Sequence, residues 1–186
     1  MVVDQLLSAV GDDTGVAYVY LDYANRKAQT VESIIASLTK QLSMWKKSNG
    51  DVQRLYERCQ KGISRPDLSQ LASTLQAVCN GFKHVFLVLD ALDECEDERR
   101  ALLLAQLKSL DQSRCRFFLT SRPHLLDLRK SLRDSPQISI KAQGSDIRLL
   151  TQKRIEDDSA LSELVENNER LKAVIVDEII KNAKDM

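Results

Sequence analysis

The sequence predicts an α/β protein, a three-layer sandwich in which helices cover both faces of a partial parallel sheet. Two observations predict this fold class. Short apolar segments rich in β-branched and aromatic residues alternate with amphipathic helical segments in residues 1–143, and strands separated by helices pair in parallel through right-handed crossovers. Two of these apolar segments are uninterrupted, which is typical of strands covered on both faces.

Three segments are predicted to be strands, and turn signals bound each of them. They are Val16 to Leu21 (VAYVYL), Val85 to Leu89 (VFLVL) and Arg116 to Thr120 (RFFLT). We expect a weaker fourth strand at Gln137 to Ile140, where two isoleucines alternate with polar residues.

Apolar residues at helical spacing predict the remaining elements. Thr30 is expected to cap a helix whose apolar face continues to Trp45, and Pro123 to lie in the first turn of a short helix ending at Leu132. The helix predicted over 97–110 would bury Leu102, Leu103, Leu107 and Leu110 and expose Arg99 and Arg100 to solvent. Further helices are predicted over 2–10, 69–79, 145–155 and 161–184, and from the turn at Gly50.

Strand signals stop after Gly144, and only helical patterns follow. We therefore place a boundary near residue 143, with an α/β domain before it and a helical piece after it. An apolar stripe from Leu171 to Ile180 is wider than a surface helix needs. We interpret it as the core of the helical piece, with a partner-binding groove as the alternative.

Composition excludes several classes of protein. The 186 residues carry 27 basic and 27 acidic side chains, and a formal net charge of zero argues against a nucleic-acid surface or a polybasic membrane patch. Apolar residues make up 43% of the chain, and no apolar run approaches the ~20 residues that cross a bilayer. The four cysteines form no CxxC pair, so we expect reduced thiols in a cytoplasmic protein.

Three carboxylates follow the second predicted strand: Asp90, Asp93 and Glu94. Ligands of parallel α/β sheets bind outside the carboxyl ends of the strands. Asp90 could hold Mg²⁺ there, usually through water, and Asp93 and Glu94 could orient and deprotonate a water aimed at a phosphorus atom. The plainer alternative is a strand that ends in a polar loop.

The third predicted strand brings Thr120, Ser121 and Arg122 to the same edge, followed by Pro123. An arginine held there can bind a terminal phosphate with two hydrogen bonds. The alternative is that Arg122 neutralises the nearby acids or caps a helix.

Together these two stretches resemble the NACHT branch of the signal-transduction (STAND) P-loop NTPases. LVLDALDEC resembles the Walker B segment of that family, and RFFLTSRP resembles its sensor 1 strand. GVAYVYLDY resembles its second strand, VESIIASLTKQL the helix after it, and ISIKAQGSDIRLLTQKRI its fifth strand and the start of a helical lid. The resemblance spans nearly the whole chain and is nearest in composition to fungal NACHT proteins with ankyrin or similar repeats downstream.

The resemblance implies a role for each residue of the two stretches. Asp90 would be the magnesium-associated acid, and Asp93 and Glu94 would serve hydrolysis. Arg122, with Thr120 beside it, would sense the terminal phosphate of ATP or GTP. These roles imply a cytoplasmic switch that self-associates or acts with downstream repeat domains.

The resemblance also divides the chain into residues 1–143, a partial nucleotide-binding domain, and residues 144–186, the start of the helical lid. None of the six glycines opens the GxxxxGK[ST] phosphate-binding loop of such NTPases. We interpret Val2 to Val10 as the end of the helix after that loop, with the loop and the first strand upstream. The implied strand order, 5-1-4-3-2, would place that strand between RFFLT and QISI. We therefore expect these 186 residues to bind nucleotide weakly or not at all.

Three functions follow from these observations. The first is a nucleotide-dependent switch, and the second is a catalytically dead remnant that serves as an interaction or structural unit. The third is a metal-dependent nuclease or phosphatase built on Asp90, Asp93 and Glu94. Two-metal chemistry needs further acids from other strands, and Asp22 is the candidate in the sequence.

Overall fold

A computed structural model describes residues 2–9, 11, 13–45, 50–59, 63–123, 125–141, 143–166 and 168–183. The chain divides into two compact units, residues 1–131 and 132–186. The sequence places its boundary later, near residue 143. The residues from 132 to 141 form a turn and a largely exposed coil. The roles of residues 1–143 as a partial nucleotide-binding domain and of residues 144–186 as the start of a helical lid stay predictions.

The first unit contains a parallel sheet of three strands in the order β1-β2-β3. The strands are β1 (Thr14–Tyr20), β2 (His84–Asp90) and β3 (Cys115–Leu119). All three segments predicted to be strands are confirmed, and so is the α/β class. Their order is the one that the resemblance implies for its second, third and fourth strands.

Six helices of the first unit are described. Thr30 caps α2, as predicted, because its hydroxyl accepts a hydrogen bond from the amide of Ser33. Asp67 and Gln70 form a reciprocal capping box that starts α4 one residue earlier than expected. The helices are α1 (Val2–Ala9), α2 (Val31–Trp45), α3 (Gly50–Arg58), α4 (Leu68–Asn80), α5 (Asp97–Lys108) and α6 (Leu126–Ser131).

Helix α2 lies against β1 and α4, and its apolar face supplies much of the core. Ile35, Leu38 and Leu42 are fully buried. Gly15 allows the helix to come this close to the strand, since a Cβ atom there would lie 2.8 Å from Cδ2 of Leu42. A larger residue at position 15 would require the side chains of Leu42 and Phe82 to shift.

The outer edge of β1 is closed by side chains of α2. The Gln41 amide group accepts a hydrogen bond from the Tyr18 amide and donates one to the Tyr18 carbonyl, at 3.0 and 2.8 Å. The indole of Trp45, which is half-exposed, donates to the carbonyl of Val16 at 3.0 Å. Unpaired strand edges invite association with other strands, and these bonds occupy that edge.

Helix α5 differs from its prediction in register. Leu103, Leu104 and Leu107 are buried, whereas Leu102 is 43% exposed. The prediction that Arg100 lies in solvent is wrong, because that side chain is only 1% exposed. The apolar face is therefore rotated toward Arg100 and Leu104.

The predicted strand at Gln137 to Ile140 is also wrong. Those residues form coil with no described strand beside them, and Ile138 and Ile140 are 83% and 91% exposed. Alternation of apolar and polar residues predicts a strand only when a sheet is present to cover the apolar side. Here nothing among the described residues pairs with the segment.

The second unit consists of α7 (Gly144–Asp157), α8 (Ser159–Val165) and α9 (Glu169–Ala183). Their core comprises Ile155, Val165 and Val176, with Leu171, Ile175 and Ile180 packed around it. The single helix expected over 161–184 is interrupted, because Asn168 accepts a hydrogen bond from the Leu171 amide and starts a new helix. The last predicted helical residue, Lys184, lies outside the described residues, as does Val10.

The apolar stripe of α9 is only partly internal. Val176 is buried, while Val174 and Ile179 are 56% and 43% exposed. The stripe therefore supplies the core of the second unit from one side only. Among the described helices, none has the length and apolar character of a membrane span.

Candidate functional site

The candidate site begins where two adjacent strands end. Asp90 is the last residue of β2, and Thr120 directly follows β3. The hydroxyl of Thr120 donates a hydrogen bond of 2.6 Å to Oδ1 of Asp90 and accepts one of 2.9 Å from the amide of Ala91. Both residues therefore lie at the carboxyl edge of the sheet, where parallel α/β proteins bind ligands.

After Asp90 the chain leaves the sheet through an unusual backbone conformation. Ala91 has φ 58° and ψ 51°, and no other described residue except glycine has a positive φ. The left-handed region costs a residue with a Cβ roughly 1–2 kcal/mol. Such strain is found preferentially at functional sites, where the surrounding structure enforces it.

A short 3₁₀ turn, Leu92–Glu94, follows Ala91 and carries two of the predicted acids. The amide of Leu92 donates to the carbonyl of Thr120 at 2.9 Å, and the Leu92 side chain is fully buried. This anchorage directs the carboxylates of Asp93 and Glu94 toward the segment that follows β3.

Arg122 meets both of these acids. Its Nε lies 3.3 Å from Oδ2 of Asp93, and its Nη2 lies 3.5 Å from Oε1 of Glu94. The backbone amide of Arg122 also donates to Oδ1 of Asp93 at 3.1 Å. The Asp93 side chain is 8% exposed and the Glu94 side chain 25%, whereas that of Arg122 is 70% exposed.

The structure thus brings all five predicted site residues to one edge of the sheet, in two groups. One group joins Asp90 to Thr120, and the other joins Asp93 and Glu94 to Arg122. The second group also matches the alternative in which Arg122 neutralises nearby acids. The guanidinium of Arg122 is the exposed partner of these pairs, so an incoming anion can reach it from solvent.

Asp22 follows β1 at the same edge of the sheet, but its carboxylate is engaged in capping. Its carboxylate caps the short 3₁₀ turn Tyr23–Asn25, accepting from the amide of Ala24 at 2.9 Å and from the side chain of Asn25 at 2.8 Å. Within the described part of the chain, no three His, Cys, Asp or Glu residues are grouped so as to hold a metal ion. The structure therefore gives no support to the two-metal nuclease or phosphatase.

The residues at this edge could hold Mg²⁺ only together with the phosphates of a nucleotide. The strand end offers a single carboxylate, Asp90, with Oδ1 already bonded to Thr120. Mg²⁺ in nucleotide sites keeps several waters and is held by one or two carboxylates together with substrate phosphates. Asp90 suits an ion that arrives with a nucleotide, and it would bind that ion directly or through water.

An open cleft of about 380 Å³ lies beside the 3₁₀ turn. Tyr23 and Arg26 form one wall, where the guanidinium of Arg26 stacks over the Tyr23 ring at 4.7 Å. Arg26 also pairs with Glu96 at 3.3 Å. The other wall is acidic and consists of residues 93–98.

One residue that sequence analysis missed is Arg100 of α5. Its buried guanidinium donates to the carbonyls of Cys95 and Leu92, at 2.8 and 3.5 Å, and to Oδ1 of Asp97 at 2.6 Å. Arg100 lies three and seven residues before Leu103 and Leu107, a helical spacing that places it on the buried face. This spacing is the feature of the sequence that indicates burial of Arg100.

The cysteines supply no further chemistry at this edge. All four are free thiols and buried. The neighbouring Cys115 thiol and burial raise the pKa of the Cys79 thiol. Cys79 therefore stays protonated at neutral pH, and thiolate chemistry is not expected there.

One comparison with known proteins bears on this geometry. The family described as Nephrocystin 3, N-terminal, matches residues 1–122, a range that holds β1, β2 and β3 and ends at Arg122. It includes Asp90, Asp93, Glu94 and Thr120. No curated protein matches the chain. Because the family match covers more than half of the 186 residues, the chain belongs to the nephrocystin 3 N-terminal family.

Proposed function

We propose that this chain is part of a signal-transduction NTPase of the NACHT type, in which bound nucleotide controls the state of the protein and its self-association. One observation carries the proposal. Acids from the end of β2 and polar groups that follow β3 are paired at one edge of a parallel sheet, through Asp90 with Thr120 and Asp93 with Arg122. That arrangement is the one in which a Walker B acid and a phosphate-sensing arginine would act on the same nucleotide.

In this proposal the residues have distinct tasks. Asp90 associates with the magnesium ion of MgATP or MgGTP, and Thr120 fixes the orientation of the Asp90 carboxylate through its 2.6 Å hydrogen bond. Arg122 exchanges its contacts with Asp93 and Glu94 for the terminal phosphate. Release of Asp93 and Glu94 then leaves them able to orient and accept a proton from the attacking water.

The same proposal predicts weak binding by these 186 residues. The sequence contains no GxxxxGK[ST] motif, whose backbone amides and lysine bind the phosphates in P-loop NTPases. Asp90 and Arg122 would then have to hold the nucleotide without the groups that supply most of the affinity.

The edge of the sheet supports the position of the expected extra strand. Strand β3 is an edge strand, and the backbone groups of Phe117 and Leu119 on its outer side form no hydrogen bond with any described residue. A parallel strand added there would continue the order implied by the resemblance. Such an addition is not available at β1, where Gln41 and Trp45 occupy the edge.

The alternative function is an interaction or structural unit that has lost nucleotide chemistry. The contacts of Arg122 with Asp93 and Glu94 favour it, because they balance the acids without any ligand. Under this alternative the helices of residues 144–186 would not respond to nucleotide. The chain would then serve downstream repeat domains only as a structural or binding unit, without any control by nucleotide.

The experiment is to compare the chain with a chimera that carries the first strand and GxxxxGK[ST] loop of a NACHT protein at its amino terminus. We expect the chimera to hydrolyse MgATP or MgGTP and the unextended chain not to. Arg122→Ala should abolish hydrolysis in the chimera. The control is Arg116→Ala, which removes an arginine at the opposite end of β3, where Arg116 donates to the carbonyl of Gln112. Equal rates in the two variants would remove the assignment of Arg122.

A further inference from the structure

We infer that Arg100 is a positioning residue for the candidate site, which sets the location of the Asp93 and Glu94 carboxylates. The inference rests on the proposed function for the role of those acids. It goes beyond that proposal because Arg100 lies in α5, outside both of the strand-end stretches.

The contacts of Arg100 span the turn that carries the acids. Leu92 begins the 3₁₀ turn and Cys95 follows its last residue, and Nη1 of Arg100 donates to the carbonyl oxygens of both. Asp93 and Glu94 are the two residues between those carbonyls. A single buried guanidinium therefore ties down both ends of the peptide segment from which the two carboxylates project.

Arg100 is one of two anchors on this turn. On the other side, the Thr120 carbonyl accepts from the Leu92 amide and its hydroxyl accepts from the Ala91 amide. Thr120 therefore fixes the beginning of the turn, whereas Arg100 donates to the Cys95 carbonyl at its end. Loss of Arg100 would leave the first anchor in place and release the second.

The chemistry of the position favours arginine. The side chain is 1% exposed, and its carboxylate partner, Asp97, has a side chain that is 90% exposed. A planar guanidinium can donate to two carbonyls and a carboxylate in fixed directions, while a lysine ammonium is a single flexible centre. A buried charge also needs its hydrogen bonds satisfied, which couples the fold of the turn to the presence of this residue.

The experiment measures hydrogen exchange of the Arg122 backbone amide by NMR in the complete 186-residue chain. That amide donates to Oδ1 of Asp93 at 3.1 Å, so its protection reports the position of the Asp93 carboxylate without any nucleotide. In Arg100→Gln we expect exchange of the Arg122 amide to become about tenfold faster, the change that loss of one hydrogen bond produces.

A matched control separates positioning from stability. Leu103→Ala removes a fully buried side chain from the same helix and lowers global stability without touching the turn carbonyls. The Arg122 amide lies in a loop and exchanges through local opening, so a purely global loss leaves its exchange rate unchanged. The amide of Leu87, in the middle of β2, reports global stability in each variant.

The outcomes are distinct. Faster exchange at Arg122 in Arg100→Gln but not in Leu103→Ala supports the inference, and equal exchange in the two variants overturns it. If Arg100→Gln does not fold, Arg100→Lys is measured in its place. A single flexible ammonium lacks the planar fork that reaches the turn carbonyls and Asp97 together, so the Arg122 amide should still lose protection, and full protection in Arg100→Lys would overturn the inference. Absence of nucleotide hydrolysis in the chimera would count against the proposed function and leave this test unaffected.

Discussion

The hydroxyl of Thr120 donates a 2.6 Å hydrogen bond to the carboxylate of Asp90, joining the ends of two adjacent parallel strands. The same oxygen accepts from the amide of Ala91, so one side chain fixes both the last residue of β2 and the first residue of the loop after it. This bond is the closest link between the two stretches that carry the candidate site.

We predict that Thr120→Val lowers the free energy of unfolding by about 1–2 kcal/mol, because the half-buried Ala91 amide loses its acceptor and Asp90 loses its donor. Thr120→Ser keeps both bonds and should cost less. Urea unfolding followed by circular dichroism measures the difference. Ser121→Ala is the control, since Ser121 is exposed and its hydroxyl donates to the neighbouring Arg122 carbonyl. A cost for Ser121→Ala as large as that for Thr120→Val would contradict the account.

The left-handed conformation of Ala91 leads to a second prediction. Glycine adopts a positive φ without the steric cost of a Cβ, so Ala91→Gly should leave stability unchanged or raise it by up to about 1 kcal/mol. The identical substitution at Ala105, an exposed position inside α5, should lower stability by about 1 kcal/mol. Thermal unfolding of the two variants provides the comparison, and an equal loss in both would show that Ala91 is unstrained.

The closed edge of β1 leads to a third prediction. Gln41→Leu removes both hydrogen bonds to the backbone of Tyr18 and should lower the free energy of unfolding by about 1–2 kcal/mol. It should also increase self-association, because the strand edge becomes available for pairing. Lys40→Leu adds the same side chain to the exposed face of α2 and controls for hydrophobicity. Light scattering after size-exclusion chromatography should detect larger species for Gln41→Leu alone.

The loop before β3 contributes a pH dependence. The carboxylate of Asp111 accepts from the hydroxyl and the amide of Ser113, and these bonds, with a further one from Arg114, hold its pKa below the ordinary value of 3.8. A carboxyl whose pKa is lowered by folding stabilises the protein above its unfolded pKa and loses that contribution as pH falls through the folded value. Asp111→Asn should therefore flatten the loss of thermal stability on acidification below pH 3.8. An unchanged slope would contradict the lowered pKa.

The sheet was predictable because its strands carry strong local signals. Segments such as Val85 to Leu89 are apolar throughout, and burial on both faces of a parallel strand demands that pattern. The segment from Gln137 to Ile140 shows the limit of such reasoning. Alternation indicates which side of a strand is apolar, but whether a neighbouring strand exists is a long-range property that the segment itself does not encode.

That the candidate residues lie at one edge of the sheet was predictable from the sequence, whereas their contacts with one another were not. Asp90 and Arg122 could be placed at one edge because parallel strands end together. The pairing of Arg122 with Asp93 and Glu94 depends on the path of the loop, which the positive φ of Ala91 and the buried Leu92 determine. The sequence predicts a solvated Arg100 because a charged side chain on a helix is usually exposed, whereas its burial depends on carbonyl groups that only the folded turn presents.

The measurement that tests the central claim most directly is the magnesium dependence of nucleotide binding by the extended chimera, using fluorescent ATP and GTP analogues. Asp90→Asn should lose the magnesium-dependent part of the affinity, while Glu32→Gln, an exposed acid of α2, should retain it. Full magnesium dependence in Asp90→Asn would contradict the claim that the two strand ends form a magnesium–nucleotide site.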